Sequence, residues 1–483
     1  MKFRVVVVAS VSSLLLSVQI LGNSWSTGAQ IPIDGSAGVR NFQSCVYHPA
    51  SGQLIQTWRD TGAAHSIYAS AFNGESWTTS LIPLGSSVGV SDRYPPVYNP
   101  GTGQIAQLWQ DSSANGFMYY STFDGTSWTS GVQIPAGTST GVNDSNNLIY
   151  YPPAKQLVEI WQDSGSGFLF YSANDGKEWT PGAEIPPGLS TGTPDNFNYP
   201  AYMPSTGQLI QIWVDTATGF FFSSAYDGSS WTTAIEIPPG ASTAIESYNT
   251  PTFDPATGQL IQTWVDAGTG HVFYSAYNGS HWTTGSEILP GTSAGAYAYF
   301  PSPIYLPSVA QLVQVWQDSG TGHFAYYSVY DGTNWTTGTI IPPGTSTSHA
   351  GANLAYDPAT GQLMHVWPDL VSHLLYYSTY NGASWSTGAL IPMGASIGVY
   401  GSLGPVYDPS TGGLVQIWQD SAAGTFLFSS TYDGMKWSPG VEIAPGTSSD
   451  AQAFNIPGFM PSINQLITIW RNSSPPRLYY STY

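Results

Sequence analysis

Two interleaved series of tryptophans run the length of this chain, and they constrain its fold more than any other feature. One falls at Trp58, Trp109, Trp161, Trp213, Trp264, Trp316, Trp367, Trp418 and Trp470. The other falls at Trp25, Trp77, Trp128, Trp179, Trp231, Trp282, Trp335, Trp385 and Trp437. Together they account for all 18 tryptophans of the 483 residues, and within each series the step stays between 50 and 53 residues. A period of this length marks a repeat architecture, in which each copy buries its apolar face against the next.

Residues 200–238 show what one copy contains. PAYMP reads as strand A, QLIQIWVD as strand B, FFFSSAY as strand C and SWTTAIEI as strand D. Ser205-Thr206-Gly207 turns A into B, and a loop at 216–219 joins B to C. Asp227-Gly228 then makes a tight turn into D, the short-range hairpin signal expected between aromatic and β-branched runs. A Pro- and Gly-rich linker leads to the next A. Four-stranded units of this length are propeller blades, so the predicted fold is all-β, a closed nine-bladed β-propeller.

The termini predict how the ring closes. The chain ends at Ser481-Thr482-Tyr483, the start of the hairpin motif read elsewhere as SAYDGSSW, and Asn23-Ser24-Trp25 supplies its end. The ninth blade therefore takes strands A, B and C from the C-terminus and D from the N-terminus, which hides both sheet edges.

Residues 1–22 stand apart. A basic start, Lys2 and Arg4, precedes an apolar run at 5–16 that is too short to span a membrane, the pattern of an export signal. This divides the chain into a signal peptide, 1–22, and a single nine-repeat propeller, 23–483, and predicts a secreted or cell-surface location. Removing Lys2 and Arg4 takes the net charge from −19 to −21. Such a field repels nucleic acid and anionic membranes, and neither is expected as a partner. The single cysteine, Cys45, rules out an intrachain disulfide and is expected to be a buried structural thiol.

The hairpin SxYDGxxW, at 224–231, 328–335 and 430–437, resembles the Asp-box, or bacterial neuraminidase repeat, with the acid shifted by one place. The whole repeat, QIWQD…YSTYDGxxW, is similar to the fungal fucose-lectin propellers. That resemblance implies a propeller and carbohydrate recognition. Where those lectins carry Arg and Glu on the second and third strands, this chain carries apolar or small residues such as Val415 and 428–430.

Repeats that agree elsewhere are informative where they differ. About five residues past the Asp of the WxD motif stand His65, Phe117, Phe168, Phe220, His271, His323, His373, Phe426 and Arg477. Ahead of strand A stand Arg40, Asp92, Asp144, Asp195, Glu246, Tyr297, His349, Tyr400 and Gln452. Both series fall on the face shared by the B–C loops and D–A linkers, where rings can stack on sugars and polar groups can bond hydroxyls. The repeated Asp itself, from Asp60 to Asp420, is expected to cap its own loop. The arginines Arg40, Arg59, Arg93, Arg471 and Arg477 all map to blades nine, one and two. Such a cluster suits a carboxylate or sulfate, or else steadies the seam.

From the residues alone, the expected ligand-binding set is Arg40, Arg59, Arg93, Arg471, Arg477, His65, His271, His323 and Asp92. No cofactor or metal is expected, because the histidines lack ligand spacing. The expected partner is a glycan or glycoconjugate, possible acidic groups included, bound at several quasi-equivalent sites. The alternatives are a sialidase-like glycoside hydrolase using the arginine cluster, and a protein-binding surface scaffold.

Overall fold

The computed structural model describes residues 24–42, 45–62, 65–113, 115–145, 148–193, 200–297, 301–351, 353–421 and 425–483. The expected signal peptide and Asp195 lie outside them. The described residues form nine antiparallel sheets, each in the order A-B-C-D. In blade four these are Ala201–Met203, Gln208–Val214, Phe221–Tyr226 and Ile235–Glu236. The A strands of neighbouring blades approach one another, so A forms the inner wall and D the rim. No helix among the described residues is long and apolar enough to cross a membrane.

Closure follows the sequence expectation. Ala29–Gln30 pairs with Leu478–Thr482, in the register Ala29↔Tyr480 and Gln30↔Tyr479. Ser26 does for blade nine what Thr232 does for blade four. Its Oγ accepts the Thr482 N–H at 3.0 Å and its carbonyl accepts the Ser481 hydroxyl at 2.6 Å. In blade four, Thr232 Oγ1 accepts the Ala225 N–H at 3.0 Å and its carbonyl takes the Ser224 hydroxyl at 2.6 Å.

Each blade is held by the same relay. The strand B tryptophan stacks on the first or second aromatic of strand C, as Trp264 on Phe273 at 5.9 Å between ring centres. Its indole N–H donates to a linker serine, Ser242, at 3.0 Å, and that hydroxyl donates to Asp266 Oδ1 at 3.0 Å. Asp266 also accepts from the Thr243 and Thr269 backbone N–H groups, tying linker to B–C loop. Burial opposes its charge, but these bonds win and hold its pKa below the usual carboxylate range. The repeated Asp is thus a structural clamp, as expected. Blade nine carries Asn472 instead, and Asp450 on the linker bonds the Ser473 N–H at 2.7 Å from the opposite side.

Strand D departs from the expected continuous run. Trp231 bridges Tyr226, yet Ile235 already pairs with Ser223, so one extra residue is bulged out. The bulge frees the Ala234 N–H to bond the Pro186 carbonyl of the preceding linker at 2.8 Å. Blade one lacks that residue, and its D strand, Trp77–Leu81, pairs without interruption from Phe72↔Trp77 to Tyr68↔Leu81. There Thr79 Oγ1 makes the tie to the preceding linker, at Pro32.

Cys45 is half-buried and its thiol donates to Gln56 Oε1 at 3.0 Å. Burial pushes its pKa up to about 12, which leaves it a poor nucleophile.

Candidate binding surfaces

On the loop face, the structure gathers the arginines of blades nine, one and two and shows what they bond. Arg59 donates to the Ser91 carbonyl of the next blade. Arg471 donates to the Arg40 carbonyl and, through Nη2, to Gln452 Oε1 at 2.8 Å. Other blades carry Gln at that position and make the same reach, as Gln110 to the Val142 carbonyl at 2.9 Å and Gln317 to the His349 carbonyl at 2.6 Å. The two strand B arginines therefore take over the repeat's blade-to-blade tie. Arg477 donates to the Ala37 carbonyl at 3.3 Å, again across the seam.

Arg93 is buried, donates to Thr57 Oγ1 at 3.2 Å, and burial pushes its pKa down to about 9 despite Asp92 beside it. Asp92 is exposed and its carboxylate accepts the Arg93 N–H at 2.8 Å. Arg40 is exposed and close enough to Arg59 to disfavour its charge, after the larger effect of burial. Arg59 Nε and Arg471 Nε are buried with no hydrogen-bond partner among the described residues.

The histidine series resolves into two positions. Backbone bonds from the WxD aspartates reach Phe117, Phe168, Phe220, His271, Phe324 and Leu374, so His323 and His373 sit one residue earlier, and His65 likewise precedes Ser66. That earlier place is Gly116, Gly167, Gly219 and Gly270 in blades two to five, with φ of 59° to 71°. His65, His323 and His373 hold the same left-handed turn at 47°, 49° and 56°, which is strained for a residue with a Cβ. Of the predicted set, His271 Nδ1 pairs with Glu287 Oε1 at 2.7 Å, and His323 Nδ1 with the Asp318 carbonyl at 3.1 Å.

The second series also mixes positions. Arg40, Glu246 and Tyr400 are bulged residues of the short strand that pairs with B ahead of A, Val39–Phe42, Ile245–Tyr248 and Val399–Ser402 in their blades, whereas Asp92 and Asp144 pair one place later. His349 occupies the buried place held by Val142 and Val399, where its N–H bonds the Gly322 carbonyl. It is 0% exposed, and neither ring nitrogen has a partner among the described residues. It stacks on Trp367 at 4.3 Å and lies 5.9 Å from His365, which fills a position that is Gln in six other blades. Burial pushes His365 down to about 4 and His349 to about 2. Among the described residues no three His, Cys, Asp or Glu side chains gather to hold a metal.

Cavities lie elsewhere as well, in the clefts between blades on the flank nearer the hairpin turns. The cleft between blades eight and nine holds about 250 Å³ among Trp25, Ser429, Thr431, Ser438, Val441, Glu442 and Tyr483. An equivalent cleft between blades one and two holds about 130 Å³ among Ile55, Ala69, Thr79, Phe123, Thr126 and Trp128. A third, between blades two and three, holds about 120 Å³ among Asn99, Gln104, Tyr120, Lys177 and Trp179. Blades four and five leave only about 20 Å³ around Ser223 and Thr232. None of these residues belongs to the set expected from the sequence. Their signal was the third residue of strand C, discussed below.

The chain matches no known family profile and no curated protein. Its fold is similar to solved propellers. A lectin from Burkholderia pseudomallei is 16% identical, with 72% of this chain and 99% of the lectin covered at a TM-score of 0.42. A mutant NanB sialidase from Streptococcus pneumoniae is 15% identical over 98% of this chain and 72% of the enzyme, at 0.32. A eukaryotic initiation factor is 9% identical over 86% of this chain and 90% of its own length, at 0.50. At such identities the likeness speaks for the fold alone.

Proposed function

We propose that this chain is an exported carbohydrate-binding protein whose ligand sites are the clefts between neighbouring blades. The observation that carries the reading is the pairing of a half-buried hairpin tryptophan with a fringe of hydroxyls at two clefts. Trp25 and Trp128 are partly open where most of their counterparts are buried. Around them stand Ser429, Thr431 and Ser438 in one cleft, and Thr78, Thr79 and Thr126 in the other. An indole face covers the apolar face of a sugar ring, and hydroxyls exchange hydrogen bonds with its rim. The hairpins support kinship with the Asp-box, since Asp227 Oδ1 accepts the Ser229 and Ser230 N–H groups at 2.8 and 2.9 Å and so shapes the turn. Sites of this size are weak singly and gain strength when a branched glycan engages several.

The seam supports a second reading, an acidic glycan, because Arg40, Arg59, Arg471 and Arg477 form no ion pair with a carboxylate among the described residues. A glycan array with the purified protein separates the two. Retention of neutral structures supports the clefts, and retention confined to sialylated or sulfated ones supports the seam. An array on which nothing is retained contradicts both, and release of free sugar from a bound glycoside would establish a hydrolase.

A further inference from the structure

The clefts are not equivalent, and one column of the repeat decides where the hairpin tryptophan is left uncovered. The third residue of strand C is Tyr120, Tyr171, Tyr274, Tyr327, Tyr377 or Tyr480 in six blades. In every one of these it meets the hairpin tryptophan of the next blade edge-on. The ring centres lie 5.3 Å apart for Tyr120 and Trp179, 5.9 Å for Tyr171 and Trp231, and 5.5 Å for Tyr480 and Trp77. The remaining three follow at 5.9, 5.9 and 6.1 Å. Edge-to-face contact at this range is a favoured aromatic geometry, and it lays a ring over the tryptophan.

In blades one, four and eight the column holds Ala69, Ser223 and Ser429. These are three of four junctions that hold a cavity; at the fourth, between blades two and three, Tyr120 still covers Trp179 beside about 120 Å³. Blade four then closes its gap by a different route, since the Trp282 indole N–H donates to Ser223 Oγ at 2.8 Å. Trp25 makes no such bond to Ser429, and its buried indole nitrogen has no hydrogen-bond partner among the described residues. Two clefts therefore remain with an uncovered tryptophan, 1–2 and 8–9. Neither is lined by Lys or Arg, and the 8–9 cleft carries Glu442, which accepts hydrogen bonds and repels anions.

Resting on the carbohydrate reading above, we infer that the protein binds single neutral sugar units at the 8–9 and 1–2 clefts, and that the third residue of strand C is the gate that selects them. Tyrosine covers the tryptophan and serine bonded to it closes the gap, whereas a small residue without that bond leaves the indole uncovered. At about 250 Å³ the 8–9 cleft sits just under the range of drug-sized pockets, which suits one sugar ring with its neighbours in solvent.

The test fills the gates with the residue that six blades already carry. Full-length protein, Ser429→Tyr, Ala69→Tyr and the double variant are titrated calorimetrically with the methyl glycosides of galactose, mannose, glucose, fucose and N-acetylglucosamine. Thermal melting checks that each variant is folded. The expected stoichiometry is two per chain for the unaltered protein, one for each single variant and none for the double. Unchanged binding in a folded double variant overturns the gate while leaving carbohydrate binding standing. Failure of all five glycosides to bind the unaltered protein, by contrast, overturns the neutral-sugar reading from which the gate follows.

Discussion

The loop face and the interblade flank vary in opposite ways, although both break the repeat. On the loop face the variant residues are the conspicuous ones, arginine and histidine, and the structure shows two of the arginines doing the work of the residue they replace. Arg59 and Arg471 reach the next blade's carbonyl as Gln110 and Gln317 do. On the flank the variants are inconspicuous, Ala69 and Ser429, and they leave undone what tyrosine does in six other blades. A deviation in a repeat marks a site when it abandons the repeat's job, and chemical prominence alone is a poor guide to that.

Four changes sharpen or break this contrast, taken from the largest expected effect to the smallest. Deleting residues 24–32 removes the closing strand and Trp25, so the 8–9 cleft vanishes while the 1–2 cleft keeps every lining residue. Stability should fall by at least the ~3–5 kcal/mol that truncating a buried Trp costs, read from denaturant unfolding. A deletion variant as stable as the full chain would mean that the ring is not closed by this strand.

Acid tests the one part of the loop face that replaces the repeat's residues at a cost. His349 and His365 are buried and neutral, with pKa values pushed below the ordinary 6.5, so the unfolded chain binds protons before the folded one does. Their contribution is intact above pH 6.5 and is lost as pH falls from there through about 4 for His365 and on toward 2 for His349. The clamp aspartates add their loss from the ordinary carboxylate range downward, because their folded values are depressed. Substituting both histidines by the residues common at those places, His349→Val and His365→Gln, should recover roughly 3 kcal/mol for each histidine between pH 6.5 and 4. Parallel melting curves against pH for the two proteins would contradict the buried, neutral pair.

The double variant Arg59→Gln and Arg471→Gln restores the common residue at the tie. Because Gln makes that bond elsewhere, unfolding should shift by no more than about 1 kcal/mol, the net worth of a hydrogen bond or two. A sialoside that binds the unaltered protein and loses ten-fold or more in this variant would instead give the arginines a ligand. The smallest effect concerns exposed His373 at φ 56°. His373→Gly should gain roughly 0.5–1 kcal/mol, since relief of left-handed strain exceeds the entropy glycine adds to the unfolded chain.

The blade count, the four strands, the ring closure and the clamp aspartates were legible in the sequence because each rests on a periodic residue whose chemistry is local. The bulge of strand D was not, since a single extra residue before Ile235 leaves the apolar pattern of SWTTAIEI reading as one strand. Only comparison with blade one, a residue shorter between Trp77 and Pro83, betrays it. The His65 and His323 positions were misaligned for a related reason. Loops of unequal length were counted from the aspartate, whereas the turn is anchored by the backbone bond at its far end. The clefts escaped notice because their signal is the absence of a ring in an otherwise aromatic column, and a missing side chain points nowhere until its neighbour's position is known.

The central claim is that ligands enter the flank between blades rather than the loop face. Its most direct test is a crystal of the unaltered protein soaked in the methyl glycoside that titrates best, with the sugar located by difference density. The account predicts a sugar ring against Trp25 and a second against Trp128. A sugar held by Arg40, Arg59 and Arg477, with both clefts empty, would contradict it.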